Sequence, residues 1–214
     1  LGLILGLING FLITKGKLAP FIVTLATMTI FRGLTLVYTD GRPIAGPKDN
    51  FAFKFLGKGQ FLGIPFQVIL FSLAFLILWT ILNKTALGRK IYAVGGNEKA
   101  SFISGINIDK VKISVYVISS LMAVLSGLVL TSRLNSAQPT AGSAYEMDAI
   151  AAVVLGGTSM TGGSGSLTGT LIGILILGVL NNGLNLLGVS SFYQQIVKGI
   201  VILIAVLIDR KRNK

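Results

Sequence analysis

Long uncharged apolar runs alternate with short basic segments along this chain. No Asp, Glu, Lys or Arg falls between Lys58 and Lys84, between Lys112 and Arg133, or from Ala149 to Val197. A membrane-crossing helix needs roughly 20 mainly apolar residues at about 1.5 Å rise each. The first two gaps therefore hold one span each, and the third is long enough for two. Apolar spans are predicted near 18–38, 62–82, 113–132, 147–160, 167–187 and 192–208. The opening run L-G-L-I-L-G-L-I-N-G-F-L-I is too short to cross alone and has no basic leader, so residues 1–13 read as the second half of a longer helix. The expected fold class is an all-α polytopic transmembrane bundle of about six spans plus a partial one. It forms a single transmembrane domain over 1–214 with a cytoplasmic loop at about 83–112.

Composition narrows the function. Only 12% of residues are charged, against about 25% in a soluble domain. The net charge of +12 would suggest nucleic acid in a soluble protein, yet here the cations sit in loops and tail, where they mark the cytoplasmic side and meet anionic lipid. Cysteine and histidine are absent, which excludes disulfides, thiolate catalysis and the usual zinc ligands. No cofactor and no catalytic residue is expected.

Cation placement sets the orientation. Lys15 and Lys17, the basic residues from Lys84 to Lys112, and the tail Arg210, Lys211, Arg212 and Lys214 fall on one side. Only Arg42, Lys48, Lys54, Lys58 and Arg133 fall on the other. The positive-inside bias puts the first set, and the C-terminus, in the cytoplasm. The segment 147–160 has about nine solidly apolar residues before it dissolves into Gly and Ser. A crossing by a short or broken helix keeps the tail inside, whereas a re-entrant loop would not.

Glycine is frequent, 27 of 214 residues. Gly2, Gly6 and Gly10, and again Gly169 and Gly173, recur every four residues and form flat helix faces. Such faces let backbones approach closely in lipid, either within one subunit or as a dimer seam. The run Gly157–Gly169 is no phosphate loop, because Gly162 is followed by Gly163 where a Walker motif needs Lys. Any ATP chemistry belongs to another chain.

The segment from Lys84 to Lys112 carries a local plan. Asn97 is a good N-cap with Glu98 at the positive helix end. Ala100, Phe102, Ile103 and Ile106 supply an apolar side, and Gly105 suits a left-handed stop. One to two turns of helix are too short to be stable alone, so the membrane surface or a partner's groove must hold them.

Three runs carry a family resemblance: L-G-R-K-I-Y-A-V-G-G-N-E-K-A-S-F-I-S-G-I, R-L-N-S-A-Q-P-T-A-G-S-A-Y-E-M-D-A-I-A-A-V-V-L-G-G-T-S, and G-V-L-N-N-G-L-N-L-L-G-V-S-S-F-Y-Q-Q-I-V-K-G. The chain resembles monosaccharide ABC importer permeases, relatives of the branched-chain amino acid permeases, and the ribose-transporting branch most closely. The resemblance implies a ten-helix permease of which this chain is roughly the C-terminal two-thirds, working as a pair of subunits in a bacterial inner membrane. It also implies a periplasmic sugar-binding protein on one side and a cytoplasmic ATPase docked on coupling helices on the other. One departure is the absence of the basic residue that relatives often carry after the glycine pair of S-M-T-G-G-S-G-S.

Under that resemblance Gly88, Arg89, Gly95, Asn97, Ala100, Ser104, Gly105 and Ile106 are the residues expected to touch the ATPase or to shape the helix that does. Asn181, Asn182 and Asn185 lie within one turn of each other in an apolar span. They either fix packing through interhelical hydrogen bonds or line a polar route for sugar. Gln138, Glu146 and Asp148 sit in an outer loop with Pro139 and Tyr145 and are candidate contacts to the binding protein, with plain solvation as the alternative. Lys198, about six residues inside the last span, either snorkels along its apolar stem or pairs inside the bundle, with snorkelling favoured and no transport role assigned. An ion-coupled transporter would want a carboxylate within a span, and the acids here lie in loops or at span edges. A membrane-embedded enzyme lacks candidate catalysts. Other small sugars and autoinducer-2 are the alternative cargoes.

Overall fold

The computed structural model describes residues 1–47 and 50–212. Lys48 and Lys214, both used in the charge bias, lie outside them. The helices are α1 (Gly2–Thr14), α2 (Pro20–Thr39), α3 (Phe51–Lys58), α4 (Phe66–Lys84), α5 (Ala86–Gly96), α6 (Glu98–Ile103), α7 (Ile108–Leu134), α8 (Tyr145–Leu155), α9 (Leu167–Leu186) and α10 (Ser191–Arg212). Short strands β1 (Ile44–Ala45), β2 (Gln60–Phe61), β3 (Ile64–Pro65) and β4 (Ser136–Ala137) pair antiparallel as β1–β4 and β2–β3. Among the described residues α2, α4, α7 and α9 are long and apolar enough to cross a membrane. The chain divides into two compact units, one of residues Leu1–Ile91 and Lys99–Ala141, the other of Tyr92–Glu98 and Gly142–Lys214.

In the first unit α1 lies along α7 on its glycine face. Gly2, Gly6 and Gly10 are buried, and a Cβ on Gly6 would sit 2.6 Å from Val117 Cα and 2.9 Å from the Tyr116 carbonyl oxygen. The stripe therefore serves packing within the chain. Lys15 Nζ closes the open end of this pair on Asp109 Oδ2 at 2.9 Å, and Asn107 caps α7 by accepting from Lys110 N at 3.0 Å.

Helix α3 was not evident in the pattern of apolar runs. Asn50 caps it by accepting from Phe53 N at 3.0 Å. Its buried Gly57 fits so tightly against Ser132 and Arg133 that a Cβ would collide with their backbone. Ser132 Oγ donates to the Phe53 carbonyl oxygen, and Gln67 Nε2 donates to that of Gly57. Helix α3 is thus pinned to the end of α7.

The core of the second unit is Ala151, Ala152 and Leu177, with Leu155 and Val201 against it. The second glycine stripe also packs within the chain: a Cβ on Gly169 or Gly173 would strike the carbonyl oxygens of Gly156 and Ala152 on the preceding arm. The predicted span 147–160 contains a short helix that breaks within it. Helix α8 stops at Leu155 after 11 residues, about 16 Å of rise, and residues 156–166 continue without helix. Gly157, Gly162 and Gly163 adopt φ of +81°, +91° and +77°, a region that L side chains avoid, so this glycine run leaves the helix by backbone conformation.

Candidate coupling and translocation sites

The segment read as a loop at about 83–112 is mostly helical. Thr85 separates α4 from α5, donating to the Ile81 carbonyl oxygen at 2.6 Å and accepting from Gly88 N at 3.3 Å. That second contact makes Thr85 the cap of α5, a signal in T-A-L-G that glycine punctuation obscured. Gly88 is buried, and a Cβ there would run into the Leu82 carbonyl oxygen. Gly88 therefore shapes the α4–α5 corner, while Arg89 is exposed.

Helix α6 follows the sequence plan closely. It begins at Glu98, directly after Asn97. At its end Gly105 N donates to Phe102 O and Ile106 N to Ser101 O, each at 3.0 Å, with Gly105 at φ +78°. These are the paired bonds of a Schellman stop. Ser101 faces inward at 4% exposure, whereas Phe102 and Ile103 are 71% and 84% exposed. Asn97, Ala100 and Ser104 are also exposed, and Ile106 is half-buried. The result is a rigidly terminated short helix that holds two large apolar side chains outward.

The end of α5 meets the glycine run inside the second unit. Tyr92 Oη donates to the Gly165 carbonyl oxygen at 2.8 Å, and Val94 is buried. A Cβ on Gly95 would lie 2.9 Å from Gly163 N, and one on Gly163 would lie 2.7 Å from Gly96 Cα. Two glycine-rich stretches about 70 residues apart thus touch backbone to backbone, which only Gly permits. Gly95 is consequently a packing residue. Tyr92 escaped sequence reasoning because its partner is remote.

The polar residues of the second unit divide. Asn185 Oδ1 accepts from Gln194 Nε2 at 2.8 Å, and the same amide donates to Val189 O, tying α9 to the start of α10. Asn182 is exposed. Asn181 Oδ1 is buried with no hydrogen-bond partner among the described residues. Lys198 does not snorkel: its Nζ pairs with Asp148 Oδ2 at 2.8 Å, the two side chains being 27% and 33% exposed. Asp148 stands on α8 within reach of α10, and pairing offsets the cost of an isolated charge there. Glu146 and Gln138 are exposed, on the second and first unit respectively.

Residues 1–206 match the family described as branched-chain amino acid transport system / permease component. The chain is 67% identical over 205 residues to the ribose import permease protein RbsC of Bacillus subtilis (strain 168), which covers 96% of this chain and 64% of that protein. It is 55% identical over 215 residues to the ribose import permease protein RbsC of Escherichia coli (strain K12), covering 100% and 67%. Against the L-arabinose transport system permease protein AraH of Escherichia coli (strain K12) it is 42% identical over 207 residues, covering 97% and 62%. The chain therefore spans about two thirds of the length of these relatives. No solved structure matches it. Membrane-length apolar helices joined by short polar segments, together with a match along almost the whole chain, make this a multi-pass membrane protein of the branched-chain amino acid transport system permease family.

Proposed function

We propose that this chain belongs to the membrane subunit of an ATP-driven importer that carries ribose across the bacterial inner membrane. The observation that carries the reading is the gradient of identity with cargo. It stands at 55–67% to relatives named for ribose and falls to 44% and 42% for those named for D-allose and L-arabinose. The subunit is a conduit, and ATP is hydrolysed by a separate cytoplasmic ATPase. Helix α6 is the docking element for that ATPase: its Phe102 and Ile103 enter a groove, with Arg89, Asn97, Ala100 and Ser104 around them and Gly88, Gly95, Gly105 and Ile106 fixing the segment's shape. A periplasmic sugar-binding protein docks on the opposite face near Gln138 and Glu146, and a second permease subunit completes the pathway.

Contact between the glycine run and the end of α5 supports a crossing by α8 and its non-helical continuation. If the coupling segment is cytoplasmic, residues 157–165 share that side. Then α9 returns outward, and α10 ends with the C-terminus inside, in line with the positive-inside bias.

The test is radiolabelled ribose uptake in permease-deleted cells supplied with the full-length gene, the binding protein and the ATPase. Uptake restored by the intact ATPase and abolished by a Walker-lysine variant is the expected result. Uptake that survives that variant overturns the mechanism, and uptake of allose or arabinose in preference to ribose overturns the cargo.

A further inference from the structure

One cation lies deep within an apolar span. Arg32 is on α2, eight residues before the left-handed stop at Asp40, about 12 Å from that end. It is exposed, and its side chain has no hydrogen bond or ion pair among the described residues. The buried residues of α2 are Val23 and Thr27. Val23 precedes Arg32 by about two and a half helical turns, so Arg32 points away from the side by which α2 packs.

Its neighbours on the helix are mixed, with Thr29 and Thr35 three residues away and Met28 and Leu36 four away. Thr29 at mid-helix and Thr35 and Thr39 beyond it share the Arg32 side of α2, and adjacent Gly33 has open space above it. Each of these threonines donates to a carbonyl one turn back, Thr29 to Leu25, Thr35 to Phe31 and Thr39 to Thr35. Their donor needs are met while oxygen lone pairs remain outward. An unpaired guanidinium with acceptor hydroxyls on one face is a poor surface for lipid, since intramembrane charges face protein or a water-filled cavity. No carboxylate stands on this face. Five fixed N–H donors flanked by hydroxyl acceptors suit a neutral solute rich in hydroxyl groups.

We infer that the Arg32 face of α2 lines the aqueous route in its outer half and that Arg32 hydrogen-bonds the hydroxyl groups of the passing sugar. The inference rests on the permease reading above and assigns that activity a contact residue.

The chain has no cysteine, so a full-length permease freed of thiols elsewhere reports single introduced ones. In proteoliposomes holding the ATPase complex, a membrane-impermeant cationic thiosulfonate added outside is expected to label Arg32→Cys, and Thr35→Cys with Arg32 intact, about tenfold faster than Thr27→Cys at the buried position on the packing side. Sugar uptake by Arg32→Gln should fall about tenfold or more at unchanged membrane level and ATPase assembly, with Arg32→Lys retaining the larger share. Failure of both cysteines to label, or wild-type uptake by Arg32→Gln, overturns the inference. Loss of uptake without labelling means that Arg32 pairs with another protein segment and also overturns it. Labelling does not depend on the cargo, so a permease that labels as expected yet ignores ribose would unseat the cargo alone.

Discussion

Glycine at positions 6, 88, 95 and 105 answers four different demands. Gly6 lets α1 approach α7 until only a hydrogen fits between backbones. Replacing it with Leu overpacks a helix interface, with an expected cost of about 1–3 kcal/mol, read as a shorter folded half-life in detergent. Gly105 instead supplies a left-handed φ with open space around it. Gly105→Val should cost about 1–2 kcal/mol of local stability through backbone strain alone, and Asn97→Ala about 1 kcal/mol through the lost cap. The double variant is expected to insert normally but to assemble poorly with the ATPase and import little. Unchanged co-purification and uptake would remove α6 from the coupling role. Tyr92→Phe deletes one hydrogen bond, worth about 0.5–1.5 kcal/mol. Faster amide exchange in residues 157–165 is its expected signature, because those turns lose their tie to the end of α5.

Helix α8 is the least self-sufficient element. Eleven residues reach about half-way across a bilayer core, so its position depends on Ala151 and Ala152 against Leu177 and on the Asp148–Lys198 pair to α10. Removing one partner leaves a half-buried charge and should cost about 1–3 kcal/mol. Asp148→Asn and Lys198→Met are each expected to lower folded yield, whereas the double variant should recover most of it. A double variant as unstable as the worse single one would show that the pair does not act as a unit. Helix α3 depends on neighbours as well, held by Ser132 and Gln67 through backbone carbonyls.

For the molecule as a whole, the two conspicuous glycine-rich stretches belong to one arrangement. The coupling segment runs from the Thr85 cap through α5 into the glycine run at Tyr92–Gly96, and from there into α6. Within the second unit, the end of α5 at Tyr92–Gly96 therefore lies directly against the glycine run that follows α8. If this contact takes part in the proposed nucleotide-driven motion, Gly163→Ala, placed against Gly96 Cα, should lower sugar moved per ATP hydrolysed more than it lowers hydrolysis. A parallel fall in both would assign the contact to folding alone.

Local chemistry made the spans, the start and stop of α6 and the two close-packing glycine faces readable in advance. Charge-free length, an Asn cap and a left-handed Gly act over a few residues, and those residues are adjacent in the chain. The same reading passed over α3, although N-F-A-F-K-F carries its cap, because a single eight-residue helix is marginal without a surface to lie on. It also made α5 a loop, since Gly88 and Gly95 look like breakers until Leu82 and Gly163 are seen against them. For Lys198 snorkelling is the favoured reading over pairing in the bundle, because its partner Asp148 is 50 residues away in sequence and only packing of α10 on α8 brings the two within 2.8 Å. The folded chain alone decided where each glycine face finds its partner, which helix breaks at Leu155 and which charges meet. Those outcomes depend on contacts between distant segments, and no local pattern specifies the distance between them.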